Sequence, residues 1–271
     1  MERGWYKNWI KHTLLRKANF RRIHIIGCAR SGTTLLNFVL SGFRNTILHQ
    51  KEVSVWNWPS LRQTFSLVRK YGFGAEPFFL VTKRNATWWI PEKLERLIRY
   101  TERFQIGIIY LIRDPRDVLT SKHALDERQY YVSFDTWKHS IEAGELVLDR
   151  LKNYPGLLII RYEDLIEDIH RVEKSLKATF GLQLKPNVAS LSRLNDYLDE
   201  DSRKSRMIQY MHGLRNFDSG SINKWKKDPK KRHYLKTLWE DPEKRGRLES
   251  VLKKYNYSLH SLEKEDTRYE R

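Results

Sequence analysis

RIHIIGCARSGTTLLNFVLSG, residues 22–42, is the stretch on which the reading of the whole chain turns. Ile23, Ile25 and Ile26 form a short apolar, β-branched run suited to a buried strand. Gly27 and Gly32 bracket a tight turn. From Thr33 onward Leu35, Leu36, Val39 and Leu40 recur at helical spacing. The local order is therefore strand, glycine-containing loop, helix. Such a loop turns several backbone N–H groups into one concavity, and the helix adds the positive end of its dipole. These residues predict an anion site, most often one for phosphate.

The kind of phosphate site is the next question. A nucleoside-triphosphatase loop reads G-x4-G-K-[ST]. The spacing from Gly27 to Gly32 fits, but Thr33 stands where that loop has lysine, and the cation sits inside the loop at Arg30. Without the lysine the contact to a transferred phosphate is lost. The run Arg30, Ser31, Gly32, Thr33, Thr34 resembles instead the 5′-phosphosulfate-binding loop of the sulfotransferase superfamily, whose members use 3′-phosphoadenosine 5′-phosphosulfate (PAPS). The resemblance implies an α/β fold of the P-loop NTPase-like sulfotransferase type, with a central, mostly parallel sheet flanked by helices. It also implies PAPS as cosubstrate, 3′,5′-ADP as product and no metal.

Further along, Thr46, Ile47 and Leu48 read as a second strand whose end delivers His49, Lys51 and Glu52. Residues at the carboxyl ends of parallel strands lie at the mouth of an open α/β sheet. In tyrosylprotein and heparan-type sulfotransferases a glutamate about 20 residues past the loop is the general base. Lys51-Glu52 resembles the heparan-type pair, and His49 is the next candidate for that role. The strand PFFLVTK (77–83) ends at Lys83. Cytosolic sulfotransferases carry a Lys-x-His triplet there, with the histidine as base. Here the third position is Asn85, so the resemblance assigns the base to Glu52 and places Lys83 beside the sulfuryl group, with Arg30.

A second matching segment is QIGIIYLIRDPRDVLTSKH (105–123). Ile106 to Ile112 reads as a central strand covered on both faces. Asp114-Pro115 starts a helix as N-cap and first-turn proline. Ser121 is expected two turns into that helix, with Arg116 and Asp117 holding its start by ion pairing. Arg-Asp-Pro-Arg-Asp-Val-x-x-Ser resembles the family's 3′-phosphate-binding segment, which pairs an arginine, here Arg113, with a serine eight positions later, here Ser121. GLLIIRYEDL (156–165) is another strand-to-helix junction; Tyr162 there either stacks near the adenine or packs. In FDSGSINKWKKD (217–228), Ser221, Lys224, Trp225 and Lys226 resemble the family segment that folds over the nucleotide, Trp225 offering a face to adenine.

The chain has 271 residues and a formal net charge of +18, which suits anionic partners. One domain spanning 1–271 is expected, with its core at about 22–256, helices at 60–72, 91–103, 133–152 and a pair over 232–256 broken at Pro242. A charged loop at 199–206 and a frayed tail at 264–271 complete it. The single cysteine, Cys28, allows no intrachain disulfide and suits a reducing, cytoplasmic setting. No run of 18 apolar residues exists. The basic helix at 5–20 suits packing or peripheral membrane contact. The acceptor is expected to offer a hydroxyl or amine, on a carbohydrate or a tyrosyl peptide, with the basic surface suiting an acidic glycan and Trp56, Trp58, Trp88 and Trp89 available to line a sugar site. Two other classes weigh against this reading. A kinase needs a magnesium-binding aspartate where the 106–112 strand delivers Arg113. A nucleic-acid or polyanion binder would show a recognition motif, and the basic residues are spread throughout.

Overall fold

The computed structural model describes residues 3–85, 90–123, 126–198, 200–204, 217 and 219–259. Five strands form the sheet: β1 (Phe20–Gly27), β2 (Thr46–Glu52), β3 (Phe78–Asn85), β4 (Gly107–Ile112) and β5 (Leu157–Arg161). Their order is β2-β3-β1-β4-β5, and every neighbouring pair is parallel. The helices are α1 (Arg3–Lys17), α2 (Thr33–Val39), α3 (Leu61–Tyr71), α4 (Pro91–Phe104), α5 (Pro115–Leu119), α6 (Phe134–Arg150), α7 (Tyr162–Glu167), α8 (Ile169–Phe180), α9 (Glu200–Arg203), α10 (Lys224–Lys227), α11 (Pro229–Glu240) and α12 (Pro242–Lys254).

Period-two alternation in the central strands builds the two layers. On β4, Ile108, Tyr110 and Ile112 join Ile26, Trp137, Ile141 and Leu252 in one core cluster. Ile109 and Leu111 face the other way and join Ile23, Ile25, Leu36 and Leu176. All six residues of β4 are buried, as a parallel strand covered on both faces should be. Burial of each large apolar side chain contributes roughly 1.5–3 kcal/mol. A smaller cluster of Leu15, Ala18, Phe20 and Leu80 fastens α1 to the sheet beside α3. Among the described residues no helix is long and apolar enough to cross a membrane.

Asp-Pro recurs as a helix starter. Asp114, Asp228 and Asp241 each accept main-chain N–H groups ahead of a first-turn proline, opening α5, α11 and α12. The final pair accordingly begins at Pro229, three residues earlier than the apolar spacing suggests. β3 runs two residues past Lys83, to Asn85. Helix α5 is shorter than expected. The hydroxyls of Thr120 and Ser121 bond back to the carbonyls of Arg116 (2.7 Å) and Asp117 (2.7 Å), and Ser121 lies beyond the helix end, not two turns inside it. Trp88, Trp89 and the 264–271 tail lie outside the described residues, as do 199, 205 and 206; the rest of the expected charged loop at 199–206 is not loop but α9 with Lys204 after it.

Every strand delivers its carboxyl end to the same edge of the sheet. From β1 the chain crosses to β2 and β3 on one side and later to β4 and β5 on the other. The crevice between β1 and β4 is therefore the topological switch point, where open α/β sheets take ligands.

Gly144 on α6 rests against the Tyr110 ring. A β-carbon there would come within 2.4–2.5 Å of three Tyr110 atoms, and the ring is wholly buried. Overpacking then outweighs the gain in helix propensity. Gly144→Ala is expected to lower unfolding free energy by at least about 1 kcal/mol, as chemical denaturation would measure.

Candidate active site

The glycine loop after β1 depends on two left-handed residues, Arg30 (φ 68°) and Gly32 (φ 99°). Ser31 closes the turn, donating from its N–H (3.1 Å) and its hydroxyl (2.7 Å) to the Cys28 carbonyl. Its side chain is thereby turned inward, so Ser31 serves the loop through its main chain. A β-carbon on Gly32 would lie 2.5 Å from the Tyr162 ring, and one on Gly27 2.5 Å from the Leu111 carbonyl. Absence of side chains at these two positions lets the loop lie directly on β4 and Tyr162. The Thr33 hydroxyl donates to Asn85 Oδ1 at 3.3 Å, joining the start of α2 to the end of β3. Thr34 is half-buried beside it.

Arg113 follows β4 directly and reaches across the switch point. Its guanidinium donates to the carbonyls of Arg30 (3.0 Å) and Ser221 (2.8 Å). It also lies 4.2 Å from the centre of the Tyr162 ring and 3.8 Å from the Asp117 carboxylate. Tyr162 in turn donates to the Ser221 hydroxyl at 3.1 Å. Arg30, Arg113, Tyr162 and Ser221 are thus brought to one place, as the sequence suggested. Ser121 borders it through Asp117, whose carbonyl its hydroxyl addresses. The Nε atoms of Arg30 and Arg113 are buried and have no hydrogen-bond partner. Burial, and then the neighbouring Arg113, push the Arg30 pKa down. Two guanidiniums held this close with unmet donors fit a polyanion, which would satisfy both the donors and the charge.

On the other side of β1, Glu52 and Lys83 are paired across the β2–β3 ladder. Lys83 Nζ lies 3.5 Å from Glu52 Oε1. Lys83 is wholly buried, whereas about a third of the Glu52 side chain (34%) is exposed. Burial lowers the Lys83 pKa, and Glu52 works against that shift. A carboxylate fixed beside a buried ammonium, open on one side, can receive a proton from a docked hydroxyl. His49 is placed differently. Its Nδ1 meets the Lys51 carbonyl at 2.8 Å and its ring packs against Trp58.

Immediately after Glu52, the 53–59 loop is fastened from several sides. Val53 donates to the Lys83 carbonyl at 3.0 Å. Arg84 donates to the Ser54 hydroxyl at 2.9 Å. Buried Arg22 donates to the carbonyls of Val55 and Trp58 and to His12 Nε2 at 2.9 Å. Lys11, on α1, donates to the Trp56 carbonyl at 2.8 Å. The N-terminal helix is therefore part of the frame that holds the candidate base.

Arg116 and Asp117 do hold the start of α5 by ion pairing, Asp117 facing Arg113 and Arg116 taking Asp114. Arg116 forms a two-pronged, buried ion pair with Asp114 at 2.7–3.2 Å. Several residues take roles the sequence did not reveal. Asp117 receives the Asn223 N–H at 2.8 Å and so ties the 219–223 segment to α5; its pKa is raised by burial. Glu163 accepts the Asp114 N–H (3.1 Å) and the Tyr257 hydroxyl (2.8 Å). Trp225 is fully buried with the Arg116 guanidinium 4.5 Å from its ring centre, so it offers no open face to an adenine. It packs the C-terminal segment against α5 instead. Lys224 is exposed on α10. Lys231 on α11 was missed: burial lowers its pKa, Asp228 and Asp117 work against that shift, and Lys224 and Arg113 add to it. A periodicity reading hides such a residue inside a run of surface lysines. Trp56 is partly buried, with the Arg96 guanidinium 4.7 Å from its ring centre.

Comparison with known proteins bears on the family and the fold. The profile of the sulfotransferase domain family matches residues 20–237. Among solved structures, the sulfotransferase domain from the curacin biosynthetic pathway superposes with a TM-score of 0.60 at 19% identity, covering 88% of this chain and 98% of that one. The sulfotransferase domain from the Synechococcus PCC 7002 olefin synthase superposes with a TM-score of 0.52 at 18% identity, covering 89% and 96%. No curated protein sequence matches the chain.

The Lys11 anchor can be read through pH. Burial, with Arg22 and Arg96 nearby, lowers its pKa from 10.5 to about 7. Between those values the unfolded chain holds a proton that the folded chain lacks, so this residue makes stability rise with pH across that window. In Lys11→Met the rise in unfolding free energy from about pH 7 to about pH 10 is expected to be smaller than in the parent, by denaturant titration at each pH.

Proposed function

Because this chain belongs to the sulfotransferase family, we propose that it moves the sulfuryl group of PAPS to an acceptor hydroxyl, with Glu52 as general base and the acceptor a carbohydrate. The observation that carries the base assignment is the Glu52–Lys83 pair at 3.5 Å, at strand ends flanking the loop and with Asn85 in the position where a histidine base would stand. PAPS when bound supplies a sulfuryl group already activated by its phosphate leaving group. The main-chain N–H groups of 30–34, with Thr33 and Thr34, would hold its 5′ end. Arg113, Ser121 and the lysines at 224 and 231 would hold its 3′ end. The partnerless Nε atoms of Arg30 and Arg113 support this fit.

Each protein group then has a defined task. Arg30 and Lys83 face the charge that develops as the bond to sulfur breaks, where a fixed cation counts most. Glu52 orients the acceptor hydroxyl and takes its proton. Lys83 fixes that carboxylate in place, so placement contributes much of the rate. Lys11, Arg22 and Arg84 hold the loop that sets this placement. Tyr162 spaces Arg113 from Gly32. Two features favour a carbohydrate acceptor: a carboxylate base paired with lysine, and the absence of any acidic residue other than Glu52 from Arg3 to Ala75, which suits an acidic glycan.

Glu52→Gln is expected to slow turnover about a hundredfold or more, and Arg30→Ala comparably, each with 3′,5′-ADP binding retained within a few fold. Arg113→Ala is expected to weaken 3′,5′-ADP binding tenfold or more, about 1.4 kcal/mol, by calorimetric titration. Near-full rate in Glu52→Gln would move the base to His49. A screen with labelled PAPS over neutral sugars, acidic glycans, phenols and tyrosyl peptides tests the acceptor; labelling of phenols alone would overturn the carbohydrate reading.

A further inference from the structure

Helices α1 and α3 lie side by side on one broad face of the sheet. Leu15 and Ala18 of α1 pack with Leu67, Val68 and Tyr71 of α3 over Phe20, Phe78 and Leu80 of the strands beneath. The seam continues past the helix ends. Phe73 donates its N–H to the Ala18 carbonyl at 3.3 Å, and the Asn19 side chain donates to the carbonyls of Gly74 (3.2 Å) and Ala75 (3.3 Å). Both helices place their apolar stripe on this cluster. Their outer stripes therefore point away from the sheet together and make one surface.

Aromatic and basic side chains share that surface. Among the described side chains, the exposed Trp, Tyr and Phe residues are all here: Trp9 (50%), Phe65 (54%), Tyr6 (67%) and Phe73 (75%). The rings of Tyr6 and Trp9 stack at 6.3 Å. Arg16 and Lys17 are exposed on the last turn of α1, and Arg69 and Lys70 on the last turn of α3. The Lys70 ammonium lies 4.8 Å from the centre of the Tyr71 ring. Glu52, at the carboxyl edge of the sheet, is the only acidic residue from Arg3 to Ala75, so neither helix carries a carboxylate to answer these cations. Contiguous exposed rings mark a contact surface. Rings interleaved with unanswered cations match the boundary of a bilayer, where the rings enter the headgroup layer and the cations meet anionic headgroups. Helices lying side by side also present a broad surface, not the channel that a nucleic-acid strand needs.

We propose that the outer face of α1 and α3 docks on an anionic membrane surface, with the four exposed rings in the headgroup layer and the neighbouring arginines and lysines on lipid phosphates. The docked face is a broad side of the sheet, whereas the glycine loop opens at the carboxyl edge. Docking therefore leaves the loop open along the plane of the bilayer. The proposal is independent of the base and acceptor assignments.

The test uses the full chain saturated with 3′,5′-ADP, so that lipid phosphates do not compete for the glycine loop. The protein is sedimented with phosphatidylcholine vesicles, with and without phosphatidylglycerol. Binding is expected to require phosphatidylglycerol and to weaken as salt is raised. Lys17→Glu with Arg69→Glu is expected to weaken it at least tenfold, since each basic residue at an anionic surface adds to the attraction. Trp9→Ala with Phe65→Ala is expected to weaken it severalfold. Lys230→Glu with Lys236→Glu, an equal change of charge at exposed positions of α11, should leave it unchanged. Thermal melts report folding, and Lys17→Gln with Arg69→Gln replaces the reversed pair should that one melt early. In a parallel arm a labelled DNA duplex takes the place of the vesicles. Duplex binding that depends on Lys17 and Arg69, together with vesicle binding unmoved by the Trp9 and Phe65 changes, would identify a nucleic-acid surface and overturn the proposal. Absence of vesicle binding, equal sedimentation without phosphatidylglycerol, or a loss in the α11 pair as large as in the Lys17 and Arg69 pair would overturn it too.

Discussion

The guanidinium of Arg113 is the joint of this molecule. It bonds the carbonyl of Arg30 in the glycine loop and the carbonyl of Ser221 in the C-terminal segment, rests on Tyr162 and faces Asp117. The glycine loop, α5, the first residue of α7 and the 219–223 segment all meet there. A planar, permanently charged fork with several donors suits this task, and a flexible ammonium would not. The same side chain that organises the site is therefore the one assigned to grip the nucleotide.

Holding Arg30 and Arg113 together is unfavourable in the protein alone. Burial and mutual repulsion depress the Arg30 pKa, and each side chain keeps a buried N–H without a partner. The surrounding fold tolerates this because the two rest on the central strands, whose side chains are buried on both faces. Such strain is common where a ligand brings the missing charge. Glu163 and the Asp114–Arg116 pair make the corresponding framework on the α5 side, satisfying one another so that Asp117 and Arg113 are presented in fixed positions.

How much of this was legible in the residues depends on the range over which each interaction acts. The strand, loop and helix of residues 22–42 could be read because apolar period and glycine placement are local. β4 could be read because its run is apolar throughout. Glu52 and Lys83 were each expected at the end of a strand, but that β2 and β3 are neighbours was not legible, and their contact rests on a register that is irregular between Leu48 and Glu52. The end of α5 was misread, since Thr120 and Ser121 turn their hydroxyls back onto the helix and finish it early. Trp225 was given an open face, yet Arg116 from another element covers its ring. The hold of Lys11 on the Trp56 carbonyl spans 45 positions, and no window of sequence exposes a contact of that kind.

One consequence follows from the position of β1 in the middle of the sheet. Phe20 pairs with Phe78 and Ile23 with Gly107, so the strand preceding the glycine loop gains its neighbours only after most of the first half of the chain has been made. Closing such loops is entropically costly before any pairing rewards it, which makes the folding of parallel sheets slow. A chain emerging from the ribosome will expose its most apolar strands while waiting for β4. The capacity to bind an anion at the loop then arises late and all at once, as a property of the finished sheet and not of the motif.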